Sequence, residues 1–227
     1  MSEKLIVIGG TAAGLSAASK AKRLRPDMEI EVFEKSGYIS YGACGLPYFV
    51  GGMIKEPEDL VSLTVDQMTE KRGVPTHIHH QVTKIDRKEK TVTVRDLDRG
   101  EETTHAYDKL VIATGARPIK PQIPGIEADG VYYLRTVEDG IRLKEIVRSA
   151  GRKRTVIVGG GFIGLEVAEE MALSGLEVHV FEKMERLLPF LDETFSGAVL
   201  ETLKNHGVSV HLGKGIDEIL TGNDMVT

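Results

Sequence analysis

The sequence of 227 residues contains a single cysteine, Cys44, which excludes a fold held together by intrachain disulfides. It contains no long basic block and has a net charge of −5, so its electrostatics do not favour nucleic-acid binding. The longest apolar stretch, residues 5–18, is interrupted by glycines and is too short to span a bilayer. The N-terminus lacks the layout of a signal peptide. These absences predict a cytoplasmic protein with neither a membrane nor a nucleic acid as partner.

What the sequence does contain is an internal repeat. Residues 5–35 read LIVIGGTAAGLSAASKAKRLRPDMEIEVFEK, and residues 155–183 read TVIVGGGFIGLEVAEEMALSGLEVHVFEK. Each copy has an apolar run, a glycine turn, a helix-like stretch, a second apolar run and then Phe-Glu-Lys. This order is typical of a βαβ unit. The sequence therefore predicts an α/β protein with two Rossmann-like units built on central parallel sheets.

The glycine turns are the candidate nucleotide-binding sites. A strand that enters a helix through tight glycines leaves backbone N–H groups at the helix start, where a pyrophosphate fits. A turn that only packs a helix on a sheet is the alternative, and the duplication argues against it. The first set of candidate residues is Gly9, Gly10, Thr11, Ala12, Ala13 and Gly14. The second set is Gly159, Gly160, Gly161, Phe162, Ile163 and Gly164.

An acidic residue follows each turn at the expected interval. Glu34 and Glu182 lie roughly 20 residues after the last glycine, at the end of the second strand, where a carboxylate accepts hydrogen bonds from a ribose diol. A carboxylate repels a 2′-phosphate, so Glu182 favours NADH. NADPH stays open because Lys183 and Arg186 are close in sequence. Lys35, which follows Glu34, completes the first candidate site.

The remaining elements fit around the two units. Residues 81–96 alternate about a polar tip, which predicts a β-hairpin insertion. Prolines at 118, 121 and 124 stiffen a connection, so we place a boundary between a first domain, 1–117, and a second, 118–227. Thr136 and Asp192 are candidate N-caps of two further helices.

A metal site is not predicted. His77, His79 and His80 cluster in sequence, but no cysteine or acidic residue lies at ligand spacing around them. A polar strand edge is the simpler interpretation.

Several segments together resemble one family. They are VIGGTAAG, VFEK, ISYGACGLPYFVGG, LVIATGARP, LRTVEDG and VIVGGGFIGLE. The chain resembles the pyridine nucleotide–disulfide oxidoreductases, and within them the single-cysteine branch of coenzyme A disulfide reductases, NADH oxidases, NADH peroxidases and persulfide reductases. The resemblance implies FAD at the first unit and NADH or NADPH at the second. It also implies a homodimer for the full-length form.

The same resemblance implies that this chain is an N-terminal part of such an enzyme. Its FAD-binding domain is then incomplete, its NAD(P)-binding domain is truncated at the C-terminal end, and the dimerisation domain is absent. We therefore expect weak FAD retention by this chain alone.

The resemblance also assigns roles to individual residues. Cys44 is implied as the redox centre, whereas a lone cysteine is otherwise most often a small buried hydrophobe. The segment Ala113-Thr114-Gly115 is implied to pass the flavin nucleotide. Phe162 occupies the place of an aromatic ring over the flavin, and Glu166 that of a glutamate arranging the flavin–nicotinamide site. Helix packing and a solvated helix face are the alternatives for these two.

The implied substrate is coenzyme A disulfide or a related low-molecular-weight disulfide or persulfide, because the run CGLPY is more similar to those reductases than to the peroxidases. Lys20, Lys22 and Arg23 are candidate contacts for the phosphates of coenzyme A, although a solvated helix face explains them equally well. Ser40, Tyr41 and Ala43 are candidate substrate residues before Cys44. Ala43 departs from the asparagine that stands just before the cysteine in some coenzyme A disulfide reductases.

Three alternatives to this function stay open. The first is an NADH oxidase or peroxidase in which Cys44 cycles through a sulfenic acid. The second is a truncated nucleotide-binding module with no activity alone. The third, an electron-transfer reductase for a ferredoxin or rubredoxin, is less favoured because those relatives do not generally need this cysteine.

Overall fold

The computed structural model describes residues 2–149, 154–222 and 225–226, and its α/β class is the predicted one. The described α-helices are α1 (Ala12–Leu24), α2 (Leu46–Gly51), α3 (Val137–Arg148), α4 (Phe162–Leu173) and α5 (Glu193–Asn205). Short helical turns cover Ala43–Gly45, Pro57–Leu60 and Gln67–Lys71. The described strands are β1 (Lys4–Ile8), β2 (Glu29–Phe33), β3 (Thr76–His77), β4 (His80–Asp86), β5 (Thr91–Asp96), β6 (Glu102–Ala106), β7 (Lys109–Ile112), β8 (Arg154–Val158), β9 (Glu177–Phe181), β10 (Ser209–His211), β11 (Thr221–Gly222) and β12 (Met225–Val226).

The chain divides into two compact units. The first consists of Met1–Gly42 and Glu58–Arg117, and the second of Ala43–Pro57 and Pro118–Thr227. The segment that carries Cys44 therefore packs with the second half of the chain, although its sequence neighbours on both sides belong to the first unit. The sequence-based ranges, 1–117 and 118–227, differ from these units at this segment.

The first unit is built on a parallel sheet with the strand order β3-β2-β1-β7. Strand β1 is apolar because both of its faces are covered, as is usual for a central parallel strand. On one face Val7 and Val32 pack with Leu15 and Ala18 of α1. On the other, Ile6 packs with the antiparallel sheet β4-β5-β6. The predicted hairpin is confirmed as β4 and β5 of that sheet.

The second unit is built on a parallel sheet with the strand order β10-β9-β8. Helix α4 packs on it through Val167, Ala168 and Met171, which contact Val178 and Val180 in one buried cluster. Strands β11 and β12 form a separate antiparallel pair.

Two helices begin with the predicted side-chain caps. The Asp139 amide donates to the Thr136 hydroxyl of α3 at 3.2 Å, and the Thr136 amide donates to the Asp139 carboxylate at 2.8 Å. At α5 the Thr194 amide donates to Asp192 at 2.9 Å. These bonds satisfy amides at the helix starts that have no partner within the helix. None of the described helices combines the length and the apolar character needed to cross a membrane.

Histidine rings surround Phe33 at the end of β2. The rings of His77 and His105 lie 5.2 Å and 4.9 Å from the Phe33 ring. Burial lowers the pKa of His77 below its ordinary value of 6.5, the Glu31 carboxylate acts to raise it, and His80 is among the smaller influences that lower it. The neutral ring is therefore the form that the fold favours.

This burial predicts that acid destabilises the first unit. Below about pH 6.5 the unfolded chain binds a proton at residue 77 that the folded chain resists, so the free energy of unfolding falls as the pH falls from about 6.5 towards the lower pKa of the folded state. Urea unfolding at pH 7 and pH 5 should show a smaller fall for His77→Gln than for the wild type. His79→Asn is the control, because Asn tolerates the positive φ of 56° found there. An equal fall in wild type and His77→Gln would contradict this assignment.

Candidate functional site

The two glycine turns share one geometry. Gly9 and Gly159 have φ angles of 109° and 105°, a region that side chains disfavour. A Cβ on Gly14 would lie 1.9 Å from the Gly9 carbonyl oxygen, and a Cβ on Gly164 would lie 2.1 Å from that of Gly159. Each helix therefore starts directly against its turn, at a distance that only glycine allows.

Helices α1 and α4 begin without the caps that α3 and α5 have. Thr11 and Gly161, the residues before them, give no side-chain cap, and neither first turn contains an acidic residue. The helix dipole adds partial positive charge at these starts. Uncapped amides, glycines and the absence of a carboxylate in the first turn together fit a bound pyrophosphate.

The two predicted acidic residues hold the turns. The Gly10 amide donates to Glu34 Oε2 at 2.6 Å, and the Gly160 amide donates to Glu182 Oε2 at 2.7 Å. The other carboxylate oxygen accepts from the amide of Ser36 in the first copy, at 2.8 Å. In the second copy it accepts from the amide of Met184, at 2.7 Å. The Ser36 hydroxyl donates to the same Glu34 oxygen, Oε1, at 2.9 Å. A carboxylate has about four lone-pair positions, so Glu34 retains about one of them and Glu182 about two for ribose hydroxyls.

The segment after β7 lies against the first turn. The Ala113 amide donates to the Ile8 carbonyl at 2.8 Å, and a Cβ on Gly9 would lie 2.2 Å from the Ala113 oxygen. Thr114 and Gly115 follow as exposed residues. The structure thus brings Ala113 and Thr114 to the first turn, where the family resemblance implies that the flavin nucleotide passes.

The remaining candidate residues of the second unit lie at or near the start of α4. Phe162 and Ile163 occupy its first turn and are each 59% exposed, and the Phe162 ring is 5.3 Å from that of Phe190. Glu166 is half-buried one turn later, and Lys183, like Lys35 in the first unit, is exposed. An exposed ring at a helix start is free to contact a ligand or to move aside for one.

A cleft of about 470 Å³ opens beside α1 in the first unit. Cationic side chains from two elements line it: Lys20 and Arg23 from α1, and Arg72 from the end of the Gln67–Lys71 turn. The Arg72 guanidinium donates to the Ser19 hydroxyl at 3.0 Å, which fixes it at the cleft. Three cations around a cavity of this size suit a ligand with several phosphate charges.

Only some of the predicted substrate residues meet at this cleft. Lys20, Arg23, Ser40 and Tyr41 line it. Lys22 does not, because its ammonium donates to the Met28 carbonyl at 2.9 Å. Ala43 also lies outside the lining. Sequence reasoning missed Arg72, since nothing in its surroundings resembles a motif and only the fold brings it to α1.

The loop that leads to Cys44 is held to the first turn. The Ser40 amide donates to the Gly10 carbonyl at 3.0 Å, and the Gly42 amide donates to the Leu60 carbonyl at 2.9 Å. Ser40 has a positive φ of 47°, so this path is fixed by the surrounding bonds rather than by local preference. Cys44 is exposed. It follows Gly42 by two residues, so covalent geometry alone keeps the two Cα atoms within about 7 Å.

Among the described residues, no group of three or more histidine, cysteine, aspartate or glutamate side chains is arranged to hold a metal ion. His79, one of the three histidines that cluster in sequence, pairs with an acidic side chain, since its Nδ1 lies 2.9 Å from Asp98 Oδ2.

The chain is similar to proteins of known sequence and structure. A family model described as Pyridine nucleotide-disulphide oxidoreductase matches residues 3–227. An NADH oxidase of Methanocaldococcus jannaschii is 37% identical over 96% of this chain and 48% of its own length. A coenzyme A disulfide reductase of Staphylococcus haemolyticus is 32% identical over 94% of this chain and 48% of its own. The chain thus spans about half the length of the curated relatives that it matches.

A solved structure extends the similarity to the fold. It is an NAD-dependent persulfide reductase from A. fulgidus, with a TM-score of 0.92 and 40% identity, covering 98% of this chain and 42% of that chain.

The glycine contacts predict opposite effects for two substitutions in the second unit. Gly164→Ala should lower the free energy of unfolding by about 1–3 kcal/mol, since its Cβ would collide with a backbone oxygen. Gly197→Ala is the matched control. It lies in α5 with nothing near its Cβ, and should raise stability by about 0.5–1 kcal/mol through helix propensity. Urea unfolding measures both. Equal effects of the two substitutions would show that α4 does not contact its turn.

Proposed function

The chain belongs to the pyridine nucleotide–disulphide oxidoreductase family, and we propose that it forms part of an enzyme that uses FAD and NAD(P)H to reduce coenzyme A disulfide. A related low-molecular-weight disulfide or a persulfide is included in this proposal. Cys44 is the residue that exchanges with the substrate. The observation that carries the proposal is the cation-lined cleft, whose lining includes Gly42, two residues before Cys44.

The two open helix starts support two dinucleotides. We assign FAD to the first unit, at Gly9–Gly14 with Glu34 and the 113–115 segment. We assign the pyridine nucleotide to the second unit, at Gly159–Gly164 with Glu182. Glu182 favours NADH because an ionised carboxylate beside the ribose repels a 2′-phosphate. The persulfide reductase from A. fulgidus, whose name specifies NAD, agrees with this preference.

The cleft selects the substrate. The adenosine end of coenzyme A carries phosphate groups, and Lys20, Arg23 and Arg72 supply donors and positive charge for them. Its other end is a thiol joined by a disulfide, which needs a nucleophilic sulfur. Cys44 is exposed and provides one.

The sulfur chemistry is a thiol–disulfide exchange. The Cys44 thiolate attacks one sulfur of the substrate, a new disulfide forms between Cys44 and one coenzyme A, and the other coenzyme A leaves as a thiolate. Oxidation states balance without any further reactant. Bound FAD would supply the two-electron chemistry that links the pyridine nucleotide to release of the second coenzyme A. The residues of this chain bind the dinucleotides, hold the phosphates and present the sulfur.

The NADH oxidase function is the second candidate, and the identity of 37% to an NADH oxidase supports it. In that function Cys44 would cycle through a sulfenic acid. A small oxidant such as oxygen or peroxide carries no phosphate groups that three cations around a cleft could bind. For this reason we favour the coenzyme A substrate. The whole protein's cytoplasmic location and its homodimeric state are part of the same proposal.

The exchange step can be tested on this chain alone, because it needs neither FAD nor NADH. We expect coenzyme A disulfide to react with Cys44 at least about tenfold faster than 2-hydroxyethyl disulfide, since the cleft adds binding energy for the phosphates. Intact mass spectrometry follows the single adduct, and Cys44→Ser is the blank. Equal rates with the two disulfides, together with rapid sulfenic acid formation by peroxide, would favour the oxidase instead.

The cleft residues can be tested by charge removal. Arg23→Ala should lower the exchange rate with coenzyme A disulfide about tenfold, because one charge-assisted hydrogen bond to phosphate is lost. Its rate with 2-hydroxyethyl disulfide should not change. Arg25→Ala is the matched control, since Arg25 forms an exposed pair with Asp27 away from the cleft. The cleft assignment fails if the two variants lose the same amount.

A further inference from the structure

Helix α2, which follows Cys44, is seated on the helices of the second unit. Phe49 and Val50 are buried, and Val50 belongs to the same apolar cluster as Val167 of α4. A Cβ on Gly140 of α3 would lie 3.2 Å from the Phe49 ring, so α3 approaches the ring closely. Packing at Phe49 and Val50 therefore holds the segment that follows Cys44 in place.

A buried ammonium completes this seat. Lys144 of α3 is only 5% exposed. Its Nζ donates to the Ile54 carbonyl at 3.0 Å and to the Lys55 carbonyl at 2.5 Å. The same nitrogen lies 3.8 Å from the centre of the Phe49 ring, within the range of a cation–π contact. Burying an ammonium is costly unless its donors are satisfied, and here backbone oxygens and an aromatic face satisfy them.

The partners of Lys144 indicate what it does. They include two main-chain oxygens just beyond α2 and an aromatic side chain within α2, so the ammonium fixes the path of the chain. An apolar residue would fill the same space with less desolvation cost, but it could not hold the two carbonyls. None of the binding roles assigned above uses this side chain.

We propose that Lys144 is a positioning residue for Cys44, which it serves by clamping residues 49–55 to α3. The proposal rests on the function proposed above, because positioning matters only if Cys44 must meet a bound substrate. With the clamp intact, the chain runs from the loop that lines the cleft, through Cys44, into a helix that is held in place. Without the clamp, the sulfur is still exposed and reactive, but the helix that follows it is no longer held on α3, so the sulfur has more orientations when a large disulfide approaches.

The test compares two disulfides, since a loss of position and a loss of reactivity affect them differently. In Lys144→Met we expect the rate with coenzyme A disulfide, relative to 2-hydroxyethyl disulfide, to fall about fivefold. The rate with the small disulfide should stay within about twofold of the wild-type rate. Hydrogen exchange of residues 46–57 should become faster. Lys144→Arg should restore most of the ratio, because its guanidinium keeps the charge and the donors.

Arg142→Met is the matched control, because it removes an exposed cation from the same helix and should leave both the ratio and the exchange unchanged. A folded Lys144→Met with faster exchange but an unchanged ratio would overturn the positioning role, as would unchanged exchange.

If Lys144→Met does not fold, Gly140→Ala tests the same seat, since its Cβ would displace the Phe49 ring by a few tenths of an ångström while favouring helix α3. An unchanged ratio in that variant would again overturn the proposal. A wild-type ratio near one contradicts the proposed function itself, and the positioning role then falls with it. A wild-type preference that Lys144→Met retains overturns the positioning role alone.

Discussion

One hydrogen bond, made once in each unit, underlies the candidate site. The amide of the second glycine of the turn donates to a carboxylate at the end of the next strand, from Gly10 to Glu34 and from Gly160 to Glu182. This bond ties the turn to the second strand and fixes the position of the helix start between them. Because a second amide holds the other carboxylate oxygen, the acid cannot rotate away. The acidic residue is thus part of the turn, and only its remaining lone pairs are available to a ligand.

The helices of this chain begin in two different ways. Helices α3 and α5 supply their own caps from Thr136 and Asp192. Helices α1 and α4 supply none. The same sequence has both kinds of start, so the difference is not one of composition. The amides at the starts of α1 and α4 therefore lack side-chain caps, and an anion bound there would stabilise the fold.

Local patterns predicted the local structure well. The repeat, the hairpin and the two capped helices follow from residues near one another in sequence, and all are present. The outcome for Lys22 could not be predicted, because only tertiary structure brings the Met28 carbonyl within reach of its ammonium. Arg72 was missed for the related reason that its place at the cleft depends on contacts with α1.

The packing of the segment 43–57 likewise depends on contacts with residues that are distant in sequence. Sequence position assigns it to the first unit, whereas Val50 and the partners of Lys144 place its packing in the second. A helix as short as α2 has too few residues for hydrophobic periodicity to indicate which sheet or helix pair will bury it. A glycine such as Gly140 and a lysine such as Lys144 carry no separate signal on α3, because each looks like an ordinary helix residue until its partner is known.

Although the two turns share a motif and an angle, their surroundings differ. At Gly9 the carbonyl of Ala113 fills the place that a side chain would take, whereas no described atom lies within 4 Å of that place at Gly159. The reason is topological. Strand β7 pairs with β1 and brings residues 113 and 114 to the first turn, and the described part of the second unit pairs β8 only with β9. The first turn is therefore enclosed on a side where the second is open. The same motif thus produces the same backbone turn in both units. The pairing of the next strand determines how far each turn is enclosed.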